Sequence, residues 1–356
     1  MIFIATSATG HDQRGDRQPD PRAPGNDAPP VDARQLLGEP TALVEPEMRA
    51  VDGRIRDSLQ SDIALIRSLS EYIIGGGGKR LRPVTLLLCA KALDAAGDEA
   101  VQLAAVVEFI HTATLLHDDV VDGSDLRRGN ATANAVWGND ASVLVGDFLY
   151  SRAFEMMVAT GRMAVMEVMA ETTNRIAEGE VLQLLNAHSP EVDEARYIET
   201  ITRKTAKLFE AAARLAAIVG GASDAVGGGL ARYGLHLGIA FQMVDDLLDY
   251  TQDAESMGKE RGDDLAEGKP TLPLIHALSH AGPEDRALIR GAIKNGERDK
   301  FERIVEIIES TGAVAYTSRR AREEATLAKS ALDCLPNSRY RQALASLADF
   351  SVARTF

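Results

Sequence analysis

The stretch HDDVVDGSDLRRG, from His117 to Gly129, combines residue types and spacing that could do chemistry. Asp118, Asp119 and Asp122 crowd the end of an apolar helical run, and Asp125, Arg127 and Arg128 follow at once. Aspartate is a poor helix former, and three neighbouring carboxylates repel one another unless positive charge sits between them. The stretch therefore calls for a cation. Written as a helix, VQLAAVVEFIHTATLLHDDVVD places His111, Leu115, Asp118 and Asp122 at i, i+4, i+7 and i+11, so both carboxylates share one face. Oxygen ligands of this kind suit Mg²⁺, which takes one or two carboxylates together with waters and phosphate oxygens. A single DDxxD is weak evidence for metal and by itself is more often a solvated helix end.

A second cluster shifts that balance. In HLGIAFQMVDDLLDYTQD, Gln242, Asp245 and Asp249 again share a helical face, with Asp246 beside them, on a helix apolar enough to be buried. Two buried acidic clusters need bridging cations. Basic residues are spread along the same chain: Lys79, Arg80 and Arg82 in GGGGKRLRP, Arg127 and Arg128, Lys204 in RKTAK, Lys259 in GKERGDD and Lys269 in GKPTLPL. Carboxylates holding Mg²⁺ beside Lys and Arg make a site for a diphosphate. GGGGKR is not a phosphate loop, because Ile73 stands where the first Gly is needed and Arg80 follows the Lys. The glycines instead allow a sharp turn, with Pro83 suited to the first turn of the next helix. A lone helical histidine is often a core residue, so His111 is a candidate by its stripe alone.

The elements that must position these residues are helices. From Leu43 onward apolar residues recur at three- and four-residue spacing, alanine is abundant, aromatics make up 5%, and strand-like alternation is scarce. The expectation is an all-α chain with one large helical domain over residues 43–356. Residues 1–42 are expected to be a disordered tail, since Thr6 to Arg34 carry almost no large apolar side chains. Acidic residues such as Asp12 and Asp16 speak against a transit peptide. A net charge of −14 and a pI near 5.0 argue against nucleic acid. Cys89 and Cys334 are expected to be reduced packing residues in a cytoplasmic protein. No apolar run is expected to span a membrane.

GGGGKRLRP, HTATLLHDDVVDGSDLRRG, RKTA, FQMVDDLLDY, GKERGDD and GKPTLPL, in this order, resemble the trans-polyprenyl diphosphate synthases, with the likeness running from about Leu43 to the C-terminus. The resemblance implies helices around a central cavity, a homodimer, and the two aspartate motifs on facing walls. It implies about three Mg²⁺ ions per active site, held by Asp118, Asp122, Asp245 and Asp249 with Asp119 and Asp246 assisting. Arg127, Lys204, Thr205, Gln242, Lys259 and Lys269 then correspond to contacts with an allylic diphosphate. Lys79, Arg82, His111 and Arg128 correspond to an isopentenyl diphosphate pocket. The implied activity is repeated condensation of isopentenyl diphosphate onto an allylic primer, farnesyl or geranylgeranyl diphosphate, with the released diphosphate accepting the proton. A quinone side chain of the ubiquinone kind is the expected destination, and transient membrane contact during product release is a further expectation.

Two other classes share parts of this pattern. A terpene cyclase would carry an NSE- or DTE-type second motif in place of DDLLD, and a non-catalytic synthase subunit would lack one aspartate motif. Product length should depend on what stands one helical turn before Asp118. Short-chain members carry a bulky residue there, whereas Ala113 and Thr114 are small. With Ile110, Phe109 and Val106 as deeper stops, the expectation is an octaprenyl to decaprenyl product; a geranylgeranyl synthase is the shorter alternative.

Overall fold

The structure, a computed structural model, describes residues 33–75, 78–127, 129–251 and 261–354. It is almost wholly helical. The order is α1 (Ala33–Ala42), α2 (Glu45–Ser58), α3 (Ala64–Gly75), α4 (Leu81–Ala92), α5 (Asp98–Val121), a two-residue hairpin of β1 (Leu126–Arg127) and β2 (Asn130–Ala131), α6 (Ala133–Trp137), α7 (Asn139–Ala159), α8 (Met163–Asn186) and α9 (Glu194–Ile201). A π-helical segment, Thr202–Ala206, leads into α10 (Lys207–Val219) and α11 (Asp224–Thr251). The chain closes with α12 (Asp263–Ala266), α13 (Leu272–His280), α14 (Pro283–Asn295), α15 (Phe301–Ser310), α16 (Ala313–Ala331) and α17 (Arg339–Ala353).

Helix α5 is the hub. Asp98 and Glu99 in its first turn complement the helix dipole, and twelve of its residues from Ala100 to Asp119 are buried, because it packs on α2, α4, α7 and α10. It is long and apolar enough to cross a membrane, contrary to the expectation of no such run, yet more than half of its apolar window is buried inside the protein. Such all-round apolarity marks a core helix. Leu86, Leu103, Ile110, Leu149, Met169 and Phe209 join the main core around it, and α11 runs beside α10 and α16.

The expected tail boundary is corrected by α1. This helix lies inside the 1–42 segment, packs on α17, and buries Pro40 with Leu37 against the core. Leu36, Leu37 and Pro40 supply the apolar anchors that the earlier residues lack, so α1 belongs to the compact unit. Residues 1–32 lie outside the described residues. Removing residues 1–31 should leave turnover and melting temperature unchanged. Removing residues 1–42 should cost about 2 kcal/mol through lost burial on α17. Thermal melts of both truncations check this, and equal melting temperatures would show α1 to be dispensable.

Candidate active site

Each aspartate of the first motif meets a different cation. Asp118 Oδ2 lies 3.2 Å from Lys204 Nζ, and Asp122 Oδ2 accepts from Lys269 Nζ at 2.9 Å. Asp119 is buried, its Oδ1 accepting from Arg127 Nε and Nη2 at 2.9 and 2.7 Å. The hairpin holds Arg127 in place, because Thr132 Oγ1 and Asn134 Nδ2 both donate to Ser124 O beneath it. Burial opposes the charge of Arg127, but the bond to Asp119 and the nearby Asp118 and Asp122 outweigh it and raise its pKa. Asp119 thus anchors Arg127, while Asp118 and Asp122 present their carboxylates on the other side of the helix.

Lys204 and Lys269 arrive through unusual backbone. Lys204 and Thr205 belong to the π-helical segment, a feature that recurs at functional sites. Lys269 follows Gly268, whose φ of +64° favours glycine, and whose carbonyl accepts from His188 N at 2.8 Å. Burial works against both ammonium groups. Asp118 and Glu180 overcome it for Lys204, and Asp122 and Glu267 for Lys269, so both pKa values are raised.

The π segment also reaches the second motif. Thr205 Oγ1 donates to Gln242 Oε1 at 2.9 Å, Gln242 Nε2 donates to Asp246 Oδ1 at 2.7 Å, and Tyr197 OH donates to Asp246 Oδ2 at 2.6 Å. Burial and the charge of Asp264 push the Asp246 carboxyl up to about 8, against those two hydrogen bonds. Gln242 therefore pairs with Asp246 and not with the Asp245 face expected from the helical wheel. Asp249 is buried as well, its Oδ2 accepting from Asp264 N at 3.2 Å at the start of α12. Asp245 is the aspartate left open, with 55% of its side chain exposed.

Three aromatic rings organise the basic residues on the other side. Lys79 sits over Phe350, Arg82 over Phe209 at 4.5 Å, and Arg354 over Phe241 at 4.0 Å, with the two latter rings 5.8 Å apart. Arg354, near the C-terminus, donates from Nη2 to Phe241 O at 3.0 Å, and its Nη1 lies 3.5 Å from Asp245 Oδ1. Arg80 is the left-handed residue of this turn, at φ +48°, held by Asp52 and Glu108 at 3.5 and 3.6 Å. Arg128 and Lys259 lie outside the described residues.

Below the first motif an apolar cavity of about 110 Å³ runs between α2, α3, α5 and α7. Asp119 and Arg127 stand at one end, His111, Leu115 and Phe109 line its length, and Ile55 and Leu59 face it. From Asp119 to Glu108 the lining follows α5 for about 16 Å at 1.5 Å per residue, roughly three isoprene lengths. Of the expected length-setting residues, Phe109 lines this cavity and Thr114 is half-buried. Ala113, Ile110 and Val106 are fully buried in the main core, with Ala113 flanked on its helix by the lining residues Phe109 and Leu116.

The donor set fits a hard divalent ion. Asp118 and Asp122 each hold a lysine ammonium where such a cation would be stabilised, and Asp245 is open to solvent. Among the described residues no three His, Cys, Asp or Glu side chains gather closely enough to cage an ion. Mg²⁺ does not require a cage, since waters and phosphate oxygens complete its shell. Sequence reasoning missed Glu180, Glu267 and Tyr197. Their partners are 24, 2 and 49 positions away, and no local pattern flags them.

Comparison with known proteins identifies the family. The chain is 52% identical over 313 residues to the octaprenyl diphosphate synthase of Escherichia coli K12, covering 88% of this chain and 97% of that one. It is 45% identical over 325 residues to an all-trans-nonaprenyl-diphosphate synthase (geranyl-diphosphate specific) of Rhodobacter capsulatus, covering 91% and 99%. A polyprenyl synthase of Caulobacter crescentus, solved with calcium and isoprenyl diphosphate, superposes with a TM-score of 0.87 at 46% identity, covering 90% and 98%. The polyprenyl synthetase family profile matches residues 63–309, spanning both aspartate motifs, so the chain belongs to that family of prenyltransferases and carries its helical isoprenoid synthase fold.

Proposed function

We propose that the chain condenses isopentenyl diphosphate repeatedly onto an allylic diphosphate and releases an all-trans polyprenyl diphosphate of octaprenyl to decaprenyl size. The observation that carries this reading is the π segment, whose Lys204 touches Asp118 and whose Thr205 touches Gln242 beside the second motif. One short stretch thereby ties both acidic clusters into a single anion site next to an apolar cavity. Asp118, Asp122 and Asp245 hold Mg²⁺ in this reading. The ion supplies positive charge against the departing diphosphate. Lys204 and Lys269 turn from Asp118 and Asp122 toward phosphate oxygens, Arg127 faces the same diphosphate while held by Asp119, and Lys79, Arg82 and His111 hold the second diphosphate. The apolar lining keeps water from the allylic cation.

The long product is supported by the octaprenyl and nonaprenyl synthases among the relatives and by the small residues before Asp118. A homodimer is supported by Leu144, Val181, Leu184 and Leu185, which stand on α7 and α8 with more than half of each side chain exposed. Cytoplasmic action toward a quinone side chain completes the reading. Incubation with farnesyl diphosphate, isopentenyl diphosphate and Mg²⁺, followed by chromatography of the dephosphorylated products, should give an octaprenyl to decaprenyl alcohol. A geranylgeranyl product would replace this reading with the short-chain one. Turnover of the allylic substrate alone would favour a cyclase.

A further inference from the structure

Glu180 has no part in the roles assigned above. It stands on α8 and its Oε2 lies 2.5 Å from Lys204 Nζ, the same ammonium that sits 3.2 Å from Asp118 Oδ2. One lysine is therefore shared by two carboxylates. Its backbone has little freedom, because a Cβ on Gly179 would fall 2.6 Å from Lys204 N, and one on Gly238 of α11 would fall 2.6 Å from Ala206 Cα. The π segment is thus clamped between α8 and α11, and the residue after the first clamp glycine is the one that reaches the ammonium. Neighbouring Arg203 is already taken by Glu178 and Glu199, at 2.5 and 2.6 Å.

An ammonium on Asp118 competes with any divalent ion for that carboxylate. Loading the ion requires the lysine to withdraw, and a part-buried ammonium without a partner is costly. Lys204 is only 19% exposed at its side chain, so water alone does not compensate for it. Resting on the assignment of Asp118 as an ion ligand, we propose that Glu180 is a positioning residue: it receives Lys204 when a divalent ion occupies Asp118, easing ion entry and keeping the ammonium aimed at the substrate diphosphate. Removing its charge leaves Lys204 with Asp118 as its best partner, and the lysine then blocks the ion.

The test is Mn²⁺ binding, followed by the electron paramagnetic resonance signal of free Mn²⁺, in the presence of an unreactive thiolo analogue of farnesyl diphosphate. Glu180→Gln keeps the size of the side chain and should weaken Mn²⁺ binding about tenfold, whereas in a Lys204→Met background the same change should have almost no effect. Glu180→Asp should recover part of the loss. Wild-type affinity in Glu180→Gln overturns the proposal, as does an equal loss with and without Lys204, which would make Glu180 a direct ligand or a general field effect. Asp118→Asn in the same assay separates the two layers. If it binds Mn²⁺ normally, the ion-site assignment itself fails; if it binds weakly while Glu180→Gln does not, only the role of Glu180 fails. Circular dichroism on each variant establishes that the helices remain.

Discussion

Asp118→Asn should lower turnover by about a thousandfold or more while leaving the helical fold intact, and Asp245→Asn should do the same. The expectation rests on what the substitution preserves. Asparagine has the volume of aspartate and can still accept a hydrogen bond from Lys204, so the packing of α5 is unchanged. What disappears is the negative charge that holds a divalent ion. Asp245 is the more telling position, because it is largely exposed and its close partner among the described residues is Arg354 at 3.5 Å. Arg354 is itself only 7% exposed, so a structural contribution of the pair would show as a drop in melting temperature, separate from the loss of turnover. Steady-state turnover at saturating Mg²⁺, with melting temperature measured alongside, checks both variants. Activity within a few-fold of wild type in either would remove that aspartate from the ion site.

Ala113→Tyr should shorten the product to about three or four isoprene units while sparing the first condensations, one helical turn being close to one unit in length. Ala113 is fully buried, and Phe109 and Leu116 on either side of it along α5 both line the cavity. A side chain on a helix leans over the preceding turn, so a tyrosyl ring at 113 is directed toward the wall formed by Phe109 and Thr112. The core around Ala113 cannot absorb a ring, and overpacking should cost about 1–3 kcal/mol. The cavity lined by Phe109 and Leu116 offers open volume to either side of Ala113 along α5. Chromatography of the reaction products decides the matter. An unchanged long product would mean that Ala113 is small only because a neighbouring helix approaches there, and that the growing chain takes another path.

The helical class and the prenyltransferase family are legible in the amino-acid order alone. Three- and four-residue apolar spacing is a local property of α5 and α11, and carboxylates at i and i+4 must share a helical face whatever the rest of the chain does. Sequence reading erred where local composition is a poor guide. The tail expected through residue 42 rested on the polar stretch Thr6 to Arg34, yet the segment just after it forms α1 and finds α17 some 300 positions away. Tertiary packing decides what each of the six aspartates faces, and it leaves Asp245 the most exposed. Asp119, Asp246 and Asp249 look the same in sequence as Asp118, Asp245 and Asp122, but Arg127, Tyr197 with Gln242, and the Asp264 amide hold the first three in place. The same holds for Lys269 on Asp122, 147 positions apart, and for Arg354 at Asp245. Charge pairing acts through space at a few ångströms, so chain periodicity carries no record of it until helices far apart in sequence have packed.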